Sequence, residues 1–281
     1  MLGSEQRDEV PHVLELQQIG ASHPRIKQIV DLQKNASSNR ARRFVAEGLW
    51  AHDAVLAADV AIDVFLWCPE ASYSDEARAR AEVVAACARS SYRISPKTLE
   101  RIAERDKPDG LISVAELPTW DAGSLPLSAD ALVLVADAIE IPGNLGTLIR
   151  TMDACAAEAL VLTNRRTRLT HPKVFRGSHG MVLTVPSIEL EQPEEVVRWL
   201  RERNFTVYLA DTDQARPYRD VSYAGRTAIV LGNERYGISR PFYEHGFDRV
   251  CVPMLGAADS LNVAISASVL LYEARARKNG W

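Results

Sequence analysis

The chain has 281 residues, 47% hydrophobic and 25% charged, which suits a globular protein of one large or two modest domains. No stretch approaches the ~20 consecutive apolar residues of a membrane span, and the opening MLGSEQRDEVPH lacks the basic start and apolar core of a secretory signal, so a cytoplasmic protein with no membrane partner is expected. A net charge of −4 argues mildly against nucleic acid, and four scattered cysteines with six unclustered histidines argue against a disulfide framework or a metal site.

Residues 1 to about 22 are polar and without period, and are expected to form a flexible arm. From Pro24, RIKQIVDLQK sets Ile26, Ile29, Val30 and Leu32 at helical spacing. RRFVAEG predicts a short strand, LWAHDAVLAADV a helix and IDVFLWC an apolar strand. SDEARARAEVVAACAR predicts a helix opened by Ser74, with acids in its first turn. SYRIS, SPKTLERIA and GLISVAEL, read as strand, helix and strand, complete an alternating α/β domain over 23–117. PTWDAGSLPLSAD, 118–130, is rich in Pro, Gly, Ser and Asp and reads as a linker. Beyond it, ALVLVAD, EALVLT, FTVYLAD, RTAIVLG and RVCVPM predict strands. NLGTLIRTMDACA, PEEVVRWLRERN and SLNVAISASVLLYEARAR predict helices, and HPKVFRGSHG a helical turn. Such alternation implies a mostly parallel sheet covered on both faces over 131–281.

Three runs draw attention. In EIPGNLGTLIR, 140–150, Pro142 and Gly143 favour a turn and Asn144 suits a helix cap. Leu145, Leu148, Ile149 and Met152 then mark a buried face, leaving Asn144, Thr147, Arg150 and Thr151 on another, so that Asn144 and Arg150 can look toward one site. The Gly-x-x-Gly spacing does not fit the dinucleotide fingerprint. In AIVLGNERYGIS, a strand opens into Gly232-Asn233-Glu234 and Gly237, where α/β sheets bind ligands. In the third run, a strand ending at Pro253 leads through Gly256 to a helix whose expected cap is Ser260. That helix is apolar nearly all round, as one buried by its own domain or by a partner subunit is. Each run alone also suits an ordinary turn or cap. Two basic stretches stand out as well: NRARR, 39–43, and NRRTRLTHPKVFR, 164–176. They read either as solvated faces or as phosphate-binding strips.

Taken together, these runs resemble the SpoU–TrmH family of RNA ribose methyltransferases, within the SPOUT class. The first family motif is met by Asn144, Gly146, Arg150 and Thr151, and the second by Gly232, Asn233, Glu234 and Gly237. Val252, Pro253 and Met254, followed by Ser260, Leu261, Asn262 and Val263, meet the third, and Arg176, Ser178 and Gly180 a further basic-x-Ser-x-Gly feature. The match covers about Ala131 to Arg277, and RRFVAEG is similar to part of the family's substrate-binding domain. Two places depart from the pattern: Ala156 and Ala159 stand where glycines are usual, and Arg235 and Tyr236 fill a loop that is usually small.

The resemblance implies an α/β SPOUT domain with a deep trefoil knot, preceded by a small α/β domain like a ribosomal protein. It implies a homodimer that binds S-adenosylmethionine and methylates a ribose 2′-hydroxyl of RNA, with 23S ribosomal RNA as the expected substrate. A tRNA substrate, or a non-catalytic RNA-binding protein on the same fold, are the alternatives. It assigns cofactor contact to Leu231, Gly232, Val252, Met254 and Leu261. Catalysis falls to Arg150, Asn144, Glu234, Ser260 and Asn262, and RNA contact to Arg43, Arg165, Arg166, Arg168, Lys173, Arg176 and Ser178. No metal is needed, because the sulfonium already activates the methyl group. A guanidinium holds its proton too tightly for a general base, so Arg150 is expected to grip phosphate and to stabilise a developing alkoxide.

Overall fold

Strands that are apolar on both faces belong inside a parallel sheet layered by helices, and the chain has several such strands. The computed structural model describes residues 15–35 and 39–281. Its first unit comprises β1 (Gln17–Gln18), α1 (Pro24–Gln33), β2 (Arg43–Glu47), α2 (Leu49–Ala57), β3 (Ile62–Trp67), α3 (Asp75–Cys87), β4 (Ser91–Arg93), α4 (Pro96–Glu100) and β5 (Leu111–Glu116). The sheet order is β1-β4-β3-β5-β2, with β5 antiparallel to both its neighbours and β4 parallel to both of its own. Ser74 caps α3 by accepting from Ala77 N, with Asp75 and Glu76 in the first turn, where the helix dipole favours acids.

The second unit comprises β6 (Leu132–Asp137), α5 (Pro142–Ala154), β7 (Ala159–Thr163), α6 (Pro172–Gly177), β8 (Ser187–Glu189), α7 (Pro193–Glu202) and β9 (Thr206–Ala210). It continues with β10 (Arg216–Pro217), β11 (Thr227–Leu231), α8 (Arg240–Tyr243), β12 (Asp248–Cys251) and α9 (Val263–Asn279). Its seven strands are ordered β10-β12-β9-β11-β6-β7-β8 and every pairing is parallel. β6, β7 and β11 are buried along their whole length. Because all the strands run one way, the loops after β6, β9, β11 and β12 open at one edge, where such sheets hold ligands.

Three expectations change. The arm over 1–22 falls mainly on residues outside those described, but Gln17–Gln18 pair with β4 and Ile19 is buried, so that stretch is part of the sheet. The 118–130 segment is also held by contacts with the second unit. Trp199 Nε1 and Arg203 Nη2 donate to Ala122 O, and Arg226 donates to the carbonyls of Leu127 and Ser128. Helix α5 starts at Pro142, whose fixed φ suits a first helical position, so Asn144 lies inside the first turn and is not the cap. Helix α9 is capped by Asn262, whose Oδ1 accepts from Ala264 N, and not by Ser260, whose hydroxyl donates to Asp259.

The units are joined by an aromatic seam. Phe175 of α6 lies 4.8 Å from Phe44 of β2 and 5.4 Å from Trp50 of α2, and Trp50 stacks on His179 at 4.7 Å. Gly180 (φ +83) presses on α2 so closely that a Cβ would stand 2.7 Å from that of Ala54.

Candidate active site

The motif residues meet at the open edge of the parallel sheet. Leu231 and Gly232 come from the end of β11, Val252 and Met254 from the loop after β12, and Leu261 and Asn262 from the approach to α9. With Asn144, Glu234 and Ser260 they line a cleft of about 500 Å³, a size usual for cofactor sites. Nine of the ten residues expected to be catalytic or to touch the cofactor thus share one cavity. The exception is Arg150, which does not line it. Arg150 is exposed on α5, six residues beyond Asn144 and so roughly 9 Å further along the helix. It makes no hydrogen bond or ion pair among the described residues.

The floor of the cleft demands glycine. A Cβ on Gly232 would lie 2.2 Å from both the Gly237 carbonyl carbon and the Ile238 nitrogen. Gly146 has a similar reason: a Cβ there would stand 2.9 Å from the Cα of Gly177, so α5 and α6 touch backbone to backbone. Ala156 shows the opposite case. It adopts the left-handed region (φ 54), which glycine enters without strain.

A chain of hydrogen bonds sets the polar wall. Asn262 Nδ2 donates to Asn144 Oδ1 (3.2 Å), and Asn144 Nδ2 donates to Glu234 Oε1 (2.8 Å). Glu234 Oε2 also accepts from Glu140 N at 3.3 Å. Asn233, which is buried, shapes the loop through its side chain. Its Nδ2 donates to Ala138 O, and its Oδ1 accepts from the amides of Arg235 and Tyr236. Buried Asp137 fastens the same corner by accepting from Ser239 N and Asn164 Nδ2.

Sequence reasoning missed Asp211, at the end of β9, which also lines the cleft and accepts from the Tyr243 hydroxyl at 2.7 Å. Burial, followed by that bond to Asp211, raises the Tyr243 pKa. The available signal was FTVYLAD, a strand that ends in a carboxylate just as ALVLVAD does. Walls of Leu231, Val252, Met254 and Leu270, with glycine floor and polar rim, fit a ligand with a flat apolar body and charged ends, as S-adenosylmethionine has.

The residues expected to meet RNA divide into groups. Arg165 and Arg168 line a second cleft, between the units, together with Arg40 and Arg42 of the other basic stretch. Arg166 lines a third depression beyond the 232–237 loop, near Tyr236 and Arg240. Lys173 is exposed on α6. Arg176 pairs with Glu104 across the seam, and Arg43 turns to Asp63 (3.3 Å) and Glu116 (3.8 Å) within the first unit. Ser178 is a correction: it is fully buried, its hydroxyl donates to Phe175 O and accepts from Val182 N, and it cannot meet RNA.

The profile of the SpoU rRNA Methylase family matches residues 131–272, and that of the MRM3-like substrate binding domain residues 23–113. The chain is 30% identical over 187 residues to the 23S rRNA (uridine(2479)-2'-O)-methyltransferase of Streptomyces viridochromogenes, covering 64% of this chain and 65% of that protein. It is 30% identical over 184 residues to the 23S rRNA (guanosine(2553)-2'-O)-methyltransferase RlmP of Bacillus subtilis, covering 66% of this chain and 72% of the relative. Among solved structures, an AdoMet-bound rRNA methyltransferase from Sinorhizobium meliloti superposes with a TM-score of 0.82 at 25% identity, covering 92% of this chain and 97% of that one. The SpoU methyltransferase AviRb from Streptomyces viridochromogenes, in complex with AdoMet, gives 0.79 at 26% identity, covering 90% and 97%.

Proposed function

Because the chain belongs to the SpoU rRNA Methylase family, we infer that it transfers a methyl group from S-adenosylmethionine to a ribose 2′-hydroxyl of RNA, with 23S ribosomal RNA as the substrate. The observation that carries this reading is the meeting of the Asn262–Asn144–Glu234 chain with the glycine-floored cleft at one sheet edge. When bound, the cofactor supplies a methyl group already activated by positive sulfur. The protein must then hold the hydroxyl in line and stabilise the developing alkoxide. Glu234 orients the amide of Asn144 and Asn262 holds its oxygen, giving the ribose a preset polar edge.

Arg150 donates and cannot accept, so its role is to grip phosphate and stabilise the alkoxide. Its position outside its own cleft supports a homodimer in which each Arg150 completes the partner's cleft. The exposed apolar residues Ile265 (51%) and Tyr272 (44%) on α9, which packs on α5, support the same dimer. We assign residues 23–117 to RNA binding, 118–130 to the link and 131–281 to methyl transfer. To the last we also assign the family's deep trefoil knot, a reading supported by the loops after β11 and β12 lining one cleft. A ribosomal RNA substrate supports a cytoplasmic location. Arg165, Arg166, Arg168 and Lys173 face the RNA.

Mapping 2′-O-methyl sites in total RNA with and without the gene tests the reaction. Loss of a site in 23S ribosomal RNA is expected, loss of a tRNA site transfers the reading to tRNA, and an unchanged map sinks it. Arg150→Ala is expected to keep cofactor affinity in calorimetry while methylation falls roughly 10²–10³-fold. Mixing Arg150→Ala with Gly232→Ala protomers tests the dimer: recovered activity supports completion across protomers, and none refutes it.

A further inference from the structure

The cleft between the two units gathers arginines from both basic stretches. Four arginines line it, Arg40 and Arg42 from the first unit and Arg165 and Arg168 from the second, against the single carboxylate of Glu189. Glu189 divides its two oxygens between the units. Oε1 accepts from Arg42 Nη1 at 3.2 Å, and Oε2 faces Arg165 Nε at 3.0 Å. The side chains of Arg42 and Glu189 are 27% and 29% exposed. The bond to Glu189 leaves Arg42 incompletely served, since its Nε and Nη2 are buried and have no partner. Buried donors without acceptors are costly, so a small shift of this guanidinium that brings its fork onto the paired oxygens of a phosphate is favoured. A partly exposed ion pair is weakly held, so a phosphate brought in by a longer RNA strand can displace the carboxylate.

We propose that this cleft, of about 230 Å³, is a seat for one phosphodiester of the RNA substrate, and that Glu189 fills it in the free protein as an internal stand-in. The seat rests on the RNA reading above. It draws both units onto one strand, which neither basic stretch achieves alone.

The test is the affinity of the full-length protein for a fluorescein-labelled single-stranded RNA oligonucleotide of mixed sequence, measured by anisotropy across KCl concentrations. Arg42→Gln and Arg165→Gln are each expected to weaken binding and to flatten the log Kd against log salt slope by about 0.7, the share of one neutralised phosphate. Glu189→Gln, which keeps the shape and removes the competing charge, is expected to tighten Kd several-fold. A misfolded protein does not gain affinity, so this arm stays decisive if the arginine variants are unstable. An unchanged or weaker Kd for Glu189→Gln overturns the seat. Inorganic phosphate added at constant ionic strength probes the seat directly: a weaker RNA Kd in the wild type that is absent in Arg42→Gln means phosphate and RNA share the seat and supports it, and an equal effect on both proteins overturns it. Transfer of labelled methyl to total RNA is scored separately. Transfer with an unmoved Glu189→Gln Kd removes the seat alone, and no transfer with a tightened Kd removes the methyltransferase reading alone.

Discussion

The cleft at the sheet edge and the cleft between the units are both polar-rimmed hollows, but one is built of backbone and the other of long side chains. At the sheet edge, Gly232 is packed so tightly on Gly237 and Ile238 that no side chain fits, and Asn144, Glu234 and Asn262 are locked to one another. Between the units, partly exposed arginines share one carboxylate. A site of packed backbone tolerates little substitution and is barely screened by salt. A site of charges tolerates substitution, but its strength depends on ionic strength.

The largest effect is expected from Gly232→Ala, which should weaken S-adenosylmethionine at least 100-fold in calorimetry, about 2.7 kcal/mol, while RNA affinity changes less than twofold. A cofactor Kd close to that of the wild type would break the contrast. Salt should act the other way. Going from about 50 to about 200 mM KCl should weaken RNA binding at least tenfold and leave cofactor affinity nearly unmoved. Glu234→Gln keeps the shape of the polar wall but removes its charge-assisted bonds, so turnover should fall about tenfold with little change in cofactor Kd.

Acid should separate the two halves. His52 lies fully buried between Gly48 O and Ser113 Oγ, each at 2.8 Å, and burial pushes its pKa below the ordinary 6.5. The unfolded chain therefore takes up this proton more readily than the folded one. The stability it supports is intact above pH 6.5 and falls as pH drops below, by at most about 1.4 kcal/mol per pH unit. RNA binding should thus fade before cofactor binding on acidification, and His52→Gln should flatten the stability profile in denaturant titrations. The smallest effect belongs to Ala156→Gly. Relief of its left-handed backbone should raise stability by roughly 0.5–1 kcal/mol, seen as a higher melting temperature with neither ligand affected.

Much of this was legible in the sequence because it is local. Hydrophobic periodicity marked the long helices and the buried strands, and Ser74 before two acids marked the start of α3. Motif order brought out nine residues of one cleft without any view of it. Strands β1, β8 and β10 were missed because two or three residues carry no period. Pro, Gly and Ser marked 118–130 as a connection, but its anchors, Trp199, Arg203 and Arg226, lie far along the chain.

Residue type and local conformation are written along the chain: which segments are helix or strand, where glycine is needed, where cations gather. What each polar group faces follows from the fold alone. Asn144 has the chemistry of a cap, yet Pro142 starts the helix earlier and Glu234, ninety positions away, takes the amide. Ser178 closely follows a basic run and is nevertheless sealed inside the protein. Arg150 shares a helix with Asn144 but stands clear of the cleft, and two distant arginine runs converge on Glu189. Propensity and capping act within a few residues, whereas a polar group's partner is set by which loops a folded sheet brings to the same edge.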